Sequence, residues 1–368
     1  MTITPSRMLT RLDADIAAAA APVAADCLRA ERAAYLARQG NLAEAAEALE
    51  AIRRRHVMRP NAAVSAWVSL AEGILMHFTD MNPRARDKVL RAYALSTAAG
   101  LGPIRANCAA WMAHLEYARL NIDLLAEYAA KALELGDLGV RAATSRVCLV
   151  VGQSLHLAGS RKSAEPWYKR TRQIALFDGD DSTLTALSHN MAWLYLSDFR
   201  KSTLTQNETL GDYSLARLGT DSYTALVQLL GDDSFSKLLP TLQAQLLSLS
   251  GQFEGALQLY EGCLRGDSIE EVGRFRANLV ADFAWCHSRC GNHDRALELA
   301  SEAARSVDIS TQIDEVAATY SLLRRVYEKS DSAYESRVYS TKASEAWSQF
   351  QLLQDEVLRR LGSLAVPA

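Results

Sequence analysis

The stretch Ala244 to Leu264, AQLLSLSGQFEGALQLYEGCL, constrains the fold more than any other part of the chain. Two apolar patterns of helical period meet at Gly251-Gln252: Leu246, Leu247 and Leu249 before the break, then Phe253, Ala256, Leu257, Tyr260 and Leu264 after it. A small residue, Ala244, stands seven places before the glycine and another, Ala256, five places after it. Small residues at facing positions let two antiparallel helices touch closely, with large side chains of one filling the grooves of the other. A lone hairpin of this kind leaves an apolar face uncovered, so it requires neighbours.

The chain supplies them. Ala33, Gly40 and Ala45 repeat the relation of Ala244, Gly251 and Ala256, as do Gly152, Gly159 and Ala164, and Ala284, Gly291 and Ala296. Looser copies have Gly73, a turn within Asp80 to Pro83 and Ala85, or Ala113 with a turn at Leu120-Asn121. A fifth has Ala192 with a turn expected near Asp198 to Arg200, and the last turns within Lys329 to Ser332. Turn follows turn at about 40 residues, a period of the size that marks a solenoid. The register breaks once, before Gly251, where about a dozen extra residues enter. They are assigned to about 207–233, rich in Gly, Asp, Ser and Thr and carrying Tyr213 and Tyr223, as a spacer or as a functional loop.

This order of small residue, glycine turn, aromatic or Leu, and second small residue resembles the tetratricopeptide repeat. The best matches are Ala33 to Ile52, Gly152 to Thr171, Ala244 to Cys263 and Ala284 to Ala303. The period is longer than the usual 34 residues, as in long variants similar to bacterial peptide-sensing regulators and to sensor arms of signalling proteins. The resemblance implies an all-α, right-handed superhelical solenoid of about eight antiparallel helix pairs with a C-terminal capping helix. The expected organisation is a leading helix in 1–25, a repeat array over 26–347, and the end of the capping helix with a tail in 348–368.

Composition narrows the partners. The 368 residues are 49% apolar and 23% charged with net charge −3, which offers no global attraction for phosphate backbones or anionic lipids. Six scattered cysteines read as reduced thiols, and the Ala-rich run after Arg7 and Arg11 is broken by Pro22, unlike an export signal. With no apolar run expected to span a bilayer, a cytoplasmic protein is expected, and high Ala and Arg content suits a GC-rich bacterial genome. Gly152-Gln153-Ser154-Leu155-His156 lacks the closing glycine of a nucleophile elbow, and Asp178-Gly179-Asp180-Asp181-Ser182 lacks the spacing of a calcium loop and reads as a turn with a helix cap. No cofactor motif and no catalytic residue is expected.

In the resembling family the first helix of each hairpin lines a concave wall. Projecting that geometry onto this sequence gives the candidate groove: His77, Asn107, His114, Tyr117, Arg146, Gln153, His156, His189, Trp193, Gln245, Trp285, Tyr320, Arg324 and Tyr327, with Asn278 beyond them. Aromatic faces with a few neutral donors suit an extended or helical peptide, although the same residues also suit packing between neighbouring helices.

Four histidines, His77, His114, His156 and His189, fall on inner positions of consecutive repeats. Helix spacing of about 8–10 Å is expected to hold them too far apart for one metal ion, leaving a pH-sensitive or anion-tolerant groove as the other reading. Cys286, Cys290 and His293 form the compact Cys/His cluster, read as packing. Trp347, Phe350, Leu353, Val357 and Leu361 make one stripe, a cap for the final repeat or a dimer or partner helix. The expected function is a non-enzymatic scaffold or adaptor with a protein or peptide ligand and no membrane, and nothing in the composition favours nucleic acid. The alternatives are a regulatory or inhibitory subunit of a separately encoded protease or nuclease, or a quorum-sensing-type peptide receptor.

Overall fold

The computed structural model describes residues 6–136, 140–205, 213–230, 239–264, 275–308 and 311–367. Among them there are seventeen helices and no strand. The helices are α1 (Arg7–Ala18), α2 (Pro22–Arg38), α3 (Leu42–His56), α4 (Ala62–Asp80), α5 (Ala85–Ala98), α6 (Gly102–Ala118), α7 (Ile122–Gly136), α8 (Arg141–Leu157) and α9 (Arg161–Asp178). They continue with α10 (Asp181–Thr205), α11 (Tyr213–Leu230), α12 (Leu239–Leu249), α13 (Phe253–Cys263), α14 (Arg276–Arg289), α15 (His293–Ser306), α16 (Ile313–Lys329) and α17 (Ala333–Leu361). Two compact units divide the chain: Met1–Leu187 with Leu226–Phe235 and Val357–Ala368, and Ser188–Ala225 with Ser236–Glu356.

In the first unit α2 packs on α1, α3 and α4, α4 on α5, α6 on α7 and α8, and α8 on α9. Gly73 of α4 is what admits α5: a Cβ there would lie 2.6 Å from Val89 Cγ2 and 2.9 Å from the Ala85 carbonyl oxygen. Gly152 does the same for α9, where a Cβ would meet the Tyr168 ring at 2.9 Å. The hairpin turns share one backbone solution, with positive φ at Gly40 (84°), Leu120 (54°) and Gly159 (78°). The following N–H returns to the carbonyl five residues earlier: Asn41 to Leu36, Asn121 to Glu116, Ser160 to Leu155. Met81 (φ 54°) closes the α4–α5 turn in a variant of it, with Asn82 N–H reaching the Met76 carbonyl. An L side chain in the left-handed region costs about 1–2 kcal/mol, so at Met81 and Leu120 close packing of the hairpins outweighs local preference.

α4 differs from expectation in one respect. It is a helix long and apolar enough by composition to cross a membrane, and half of that stretch is buried inside the chain. A core helix covered on both sides by α2 and α5 carries the same composition.

In the second unit α12 packs on α13, α13 on α14, and α14 on α15 and α16. Its core holds Ala244, Ala256, Tyr260, Ala284, Cys286, Ala296 and Ala318. Gly251 (83°), Gly291 (85°) and Asp331 (55°) repeat the same turn, with Gln252 returning to Leu247, Asn292 to His287 and Ser332 to Tyr327. The turn expected near Asp198 to Arg200 is not there: α10 runs unbroken to Thr205. Nothing at 198–200 favours positive φ, and continuing the helix buries Phe199, Arg200 and Leu204. Ala192 nevertheless does pair with a small residue, since a Cβ on Gly219 of α11 would meet its Cα at 3.1 Å. Of the expected insertion, Tyr213–Leu230 is helix α11, while 207–212 and 231–233 lie outside the described residues.

Candidate functional site

α6 carries Asn107, Trp111 and His114 at spacings of four and three residues, one face of a helix. Trp111, with its ring edge to His114 (centroids 5.2 Å) and to Phe78 (6.2 Å), anchors this face. His114 Nε2 lies 3.2 Å from His77 Nε2 of α4, so one imidazole donates to the other. The repeat spacing expected to separate these rings applies to backbones; two side chains reaching toward each other span it. His156 instead bonds the Tyr168 hydroxyl at 3.2 Å within its own hairpin, and His189, in the second unit, stacks edge-on to Tyr223.

Arg146 of α8 lies with its guanidinium carbon 4.2 Å from the Trp111 ring centroid, a cation–π contact. It is 5% exposed and makes no hydrogen bond or ion pair among the described residues. Burial pulls its guanidinium down to about 9, Arg38 adding to the effect and Asp180 opposing it. Next to it Ser145 lines a cleft of about 270 Å³, together with Trp67, Asn107, Arg11, Asp178 and Asp180. The Ser145 Oγ is buried without a partner among the described residues.

The rim of this cleft is made by residues far apart in sequence. Arg38, at the end of α2, donates to both Asp180 carboxylate oxygens at 2.7 and 2.8 Å. Asp180 also accepts from the Thr183 N–H at 2.9 Å, which makes it the cap of α10, as the acidic turn implied. Arg11 of α1 and Arg141 of α8 converge on Asp178 at 3.2 and 2.8 Å. Burial raises the carboxyl of Glu31, which also lines the cleft, with Arg11 opposing.

The second unit has its own buried polar cluster. Arg200 donates to Asn278 Oδ1 at 2.6 Å and to Glu315 at 2.7 Å, and Gln245 Nε2 donates to the same Asn278 oxygen at 2.9 Å. Asp282 accepts from the Ser248 hydroxyl at 2.8 Å and from the Tyr260 hydroxyl. Gln245 Oε1 and Asn278 Nδ2 are buried without a partner among the described residues. Half-buried Trp285 has Arg289 at 5.3 Å and Arg325 at 5.9 Å from its ring centroid, and Tyr327 stacks on Tyr339 with centroids 5.4 Å apart.

Of the candidate groove residues, Asn107, Arg146, Gln153, His156, His189 and Gln245 are buried; His77, His114, Tyr117, Trp193, Trp285, Tyr320, Arg324 and Tyr327 are half-buried. Arg324 pairs with Glu328 at 3.2 Å. Along α17, Phe350, Val357 and Leu361 are buried within the chain, Trp347 donates to the Ser321 hydroxyl at 3.0 Å, and Leu353 is half-buried. Cys286 is a core residue, Cys290 is half-buried, and His293 opens α15. Sequence reasoning missed Trp111, although its spacing from Asn107 and His114 put it on their face. It also missed Arg38, Arg200 and Glu315, and the ion pair that Asp180 makes beyond its capping role, since no local pattern reveals those partners.

Compared with family models and with curated proteins, the chain matches none.

Proposed function

We propose that this chain is a non-enzymatic, cytoplasmic scaffold of tetratricopeptide-like hairpins, about eight of them in a right-handed superhelix, that binds an extended peptide or protein segment. One observation carries the reading: the α6–α8 face brings an aromatic ring, a histidine pair and a buried guanidinium beside a cleft on whose wall the Ser145 hydroxyl has no partner among the described residues. A packing-only interior satisfies its buried polar groups internally; a binding surface leaves donors for the ligand. The alanine and glycine pairs and the recurring turn support the repeat assignment, and six free cysteines suit a reducing compartment.

A random dodecapeptide phage library panned on the purified full chain tests the reading. The expected result is enrichment of a sequence whose synthetic peptide binds saturably by fluorescence anisotropy. Trp111→Ala weakens that binding at least tenfold, and Lys169→Ala, on an exposed position of α9, leaves it unchanged. Failure to enrich any sequence, or equal binding by both variants, overturns it.

A further inference from the structure

Three carboxylates stand on the walls of the cleft, and Glu31 of α2 is the one that no described side chain holds. The other two are taken: Asp180 by Arg38, and Asp178 by Arg11 and Arg141. Glu31 makes no hydrogen bond or ion pair among the described residues, and it meets Arg11, Arg38, Asp15 and Asp178 through charge alone. Those four charges cancel, two against two, so the charge of Glu31 itself stands unbalanced. Burial is the main cause that raises this carboxyl, and it makes an unbalanced charge there costly. Two further side chains on the cleft wall are open. Ser145 of α8 is 4% exposed, and its hydroxyl has no partner among the described residues. Trp67 of α4 is half-buried, and its ring makes no aromatic or cation contact among the described residues.

We infer that this cleft receives a guanidinium, an arginine side chain of the bound segment, with Glu31 as its counter-ion, Trp67 as the face it lies on, and the side-chain oxygens of Ser145 and Asn107 as further acceptors. The inference rests on the peptide-binding reading above and names the side chain that reading leaves open. A guanidinium pairs its edge with a carboxylate as a two-pronged fork while its flat faces stay free for an indole. Its five N–H groups are enough for the four oxygens of Glu31, Ser145 and Asn107, whereas an ammonium carries three. The space, about 270 Å³, falls below the roughly 300–1,000 Å³ of a pocket for a whole ligand and suits one side chain. An anion is disfavoured by the three carboxylates on the walls. A single positive charge balances Glu31 and holds it ionised.

The test uses the full chain with N-acetyl-argininamide, its neutral isostere N-acetyl-citrullinamide and N-acetyl-lysinamide, read by thermal shift and calorimetric titration at fixed ionic strength. The expected result is saturable binding of the arginine compound, at least tenfold weaker binding of the citrulline compound and at least threefold weaker binding of the lysine compound. Glu31→Gln keeps the shape without the charge and is expected to bind the arginine compound at least tenfold more weakly. Trp67→Leu, which removes the ring, weakens it at least threefold. The citrulline comparison reads the charge on the unaltered chain, so it decides the matter even where a variant fails to fold. No saturable binding of the arginine compound, equal binding of the citrulline compound, tighter binding of the lysine compound, or a folded Glu31→Gln that binds like the wild type overturns the inference. An enriched peptide without arginine, or one bound equally when its arginines become citrulline, sinks the guanidinium assignment while the scaffold reading stands. Binding of N-acetyl-argininamide with no peptide enriched keeps the guanidinium cleft and sinks the scaffold.

Discussion

Asp282 gives the sharpest handle on the second unit. Its carboxylate is 4% exposed and sits among Tyr260, Ser248 and the nearby Arg200. Burial raises it from the ordinary 3.8 to about 6, with the Tyr260 and Ser248 hydroxyls and then Arg200 and Arg325 pulling the other way. The native state therefore holds a proton that the unfolded chain has already released between pH 4 and pH 6. Where the native state binds more protons, stability falls as pH rises. At about 1.4 kcal/mol per pH unit, the displacement amounts to a loss of about 3 kcal/mol across that window. Asp314, raised to about 6 by burial and by Glu315, adds a loss of the same sign. Replacing Asp282 by Asn removes its titration and keeps a group able to bond both hydroxyls, whose protons can rotate. Urea unfolding of wild type and Asp282→Asn, followed by far-UV circular dichroism at pH 4, 5, 6 and 7, measures the difference. The variant is expected to gain on the wild type steadily from pH 4 to 6, by about 3 kcal/mol, and to run parallel above that. A variant curve parallel to the wild type throughout, or one losing ground as pH rises, refutes the burial argument.

Four further outcomes follow from the packing, the turns and the ion pairs. Gly73→Ala forces a Cβ to 2.6 Å from Val89 and 2.9 Å from the backbone of Ala85, and overpacking of this kind costs about 1–3 kcal/mol, measurable as a drop in unfolding temperature. Gly251→Ala meets no neighbour within 4 Å but must adopt φ 83°, so it loses about 1 kcal/mol from backbone strain alone, whereas Met81→Gly, at φ 54°, is expected to be stabilising by a few tenths to 1 kcal/mol in the same assay. Arg38→Ala leaves the Asp180 carboxylate, 8% exposed, without its partner. It is expected to cost about 3 kcal/mol and to loosen the α10 cap, read as faster amide exchange at Thr183.

The elements that sequence alone determined are those whose physics is local. A glycine or other residue able to take positive φ, flanked by small residues at fixed offsets, specifies a close helix hairpin. The turns at Gly40, Gly159, Gly251 and Gly291 and the contacts of Gly73 and Gly152 follow from it. Even Leu120, a poor residue for such a turn, was legible because the surrounding period demanded one there, and Asp331 is a residue that tolerates positive φ. What the tertiary structure alone decided depends on partners remote in the chain. The unbroken run of α10 past Arg200 is set by the burial of Phe199 and Leu204 and by the ion pair from Arg200 to Glu315, more than a hundred residues away. The meeting of His77 with His114, the closing of Arg38 on Asp180, and the seating of Arg146 on Trp111 depend on side-chain reach and on which helices pack together. Periodicity reports which face a residue occupies. Which partner a charge on that face meets is a property of the assembled core.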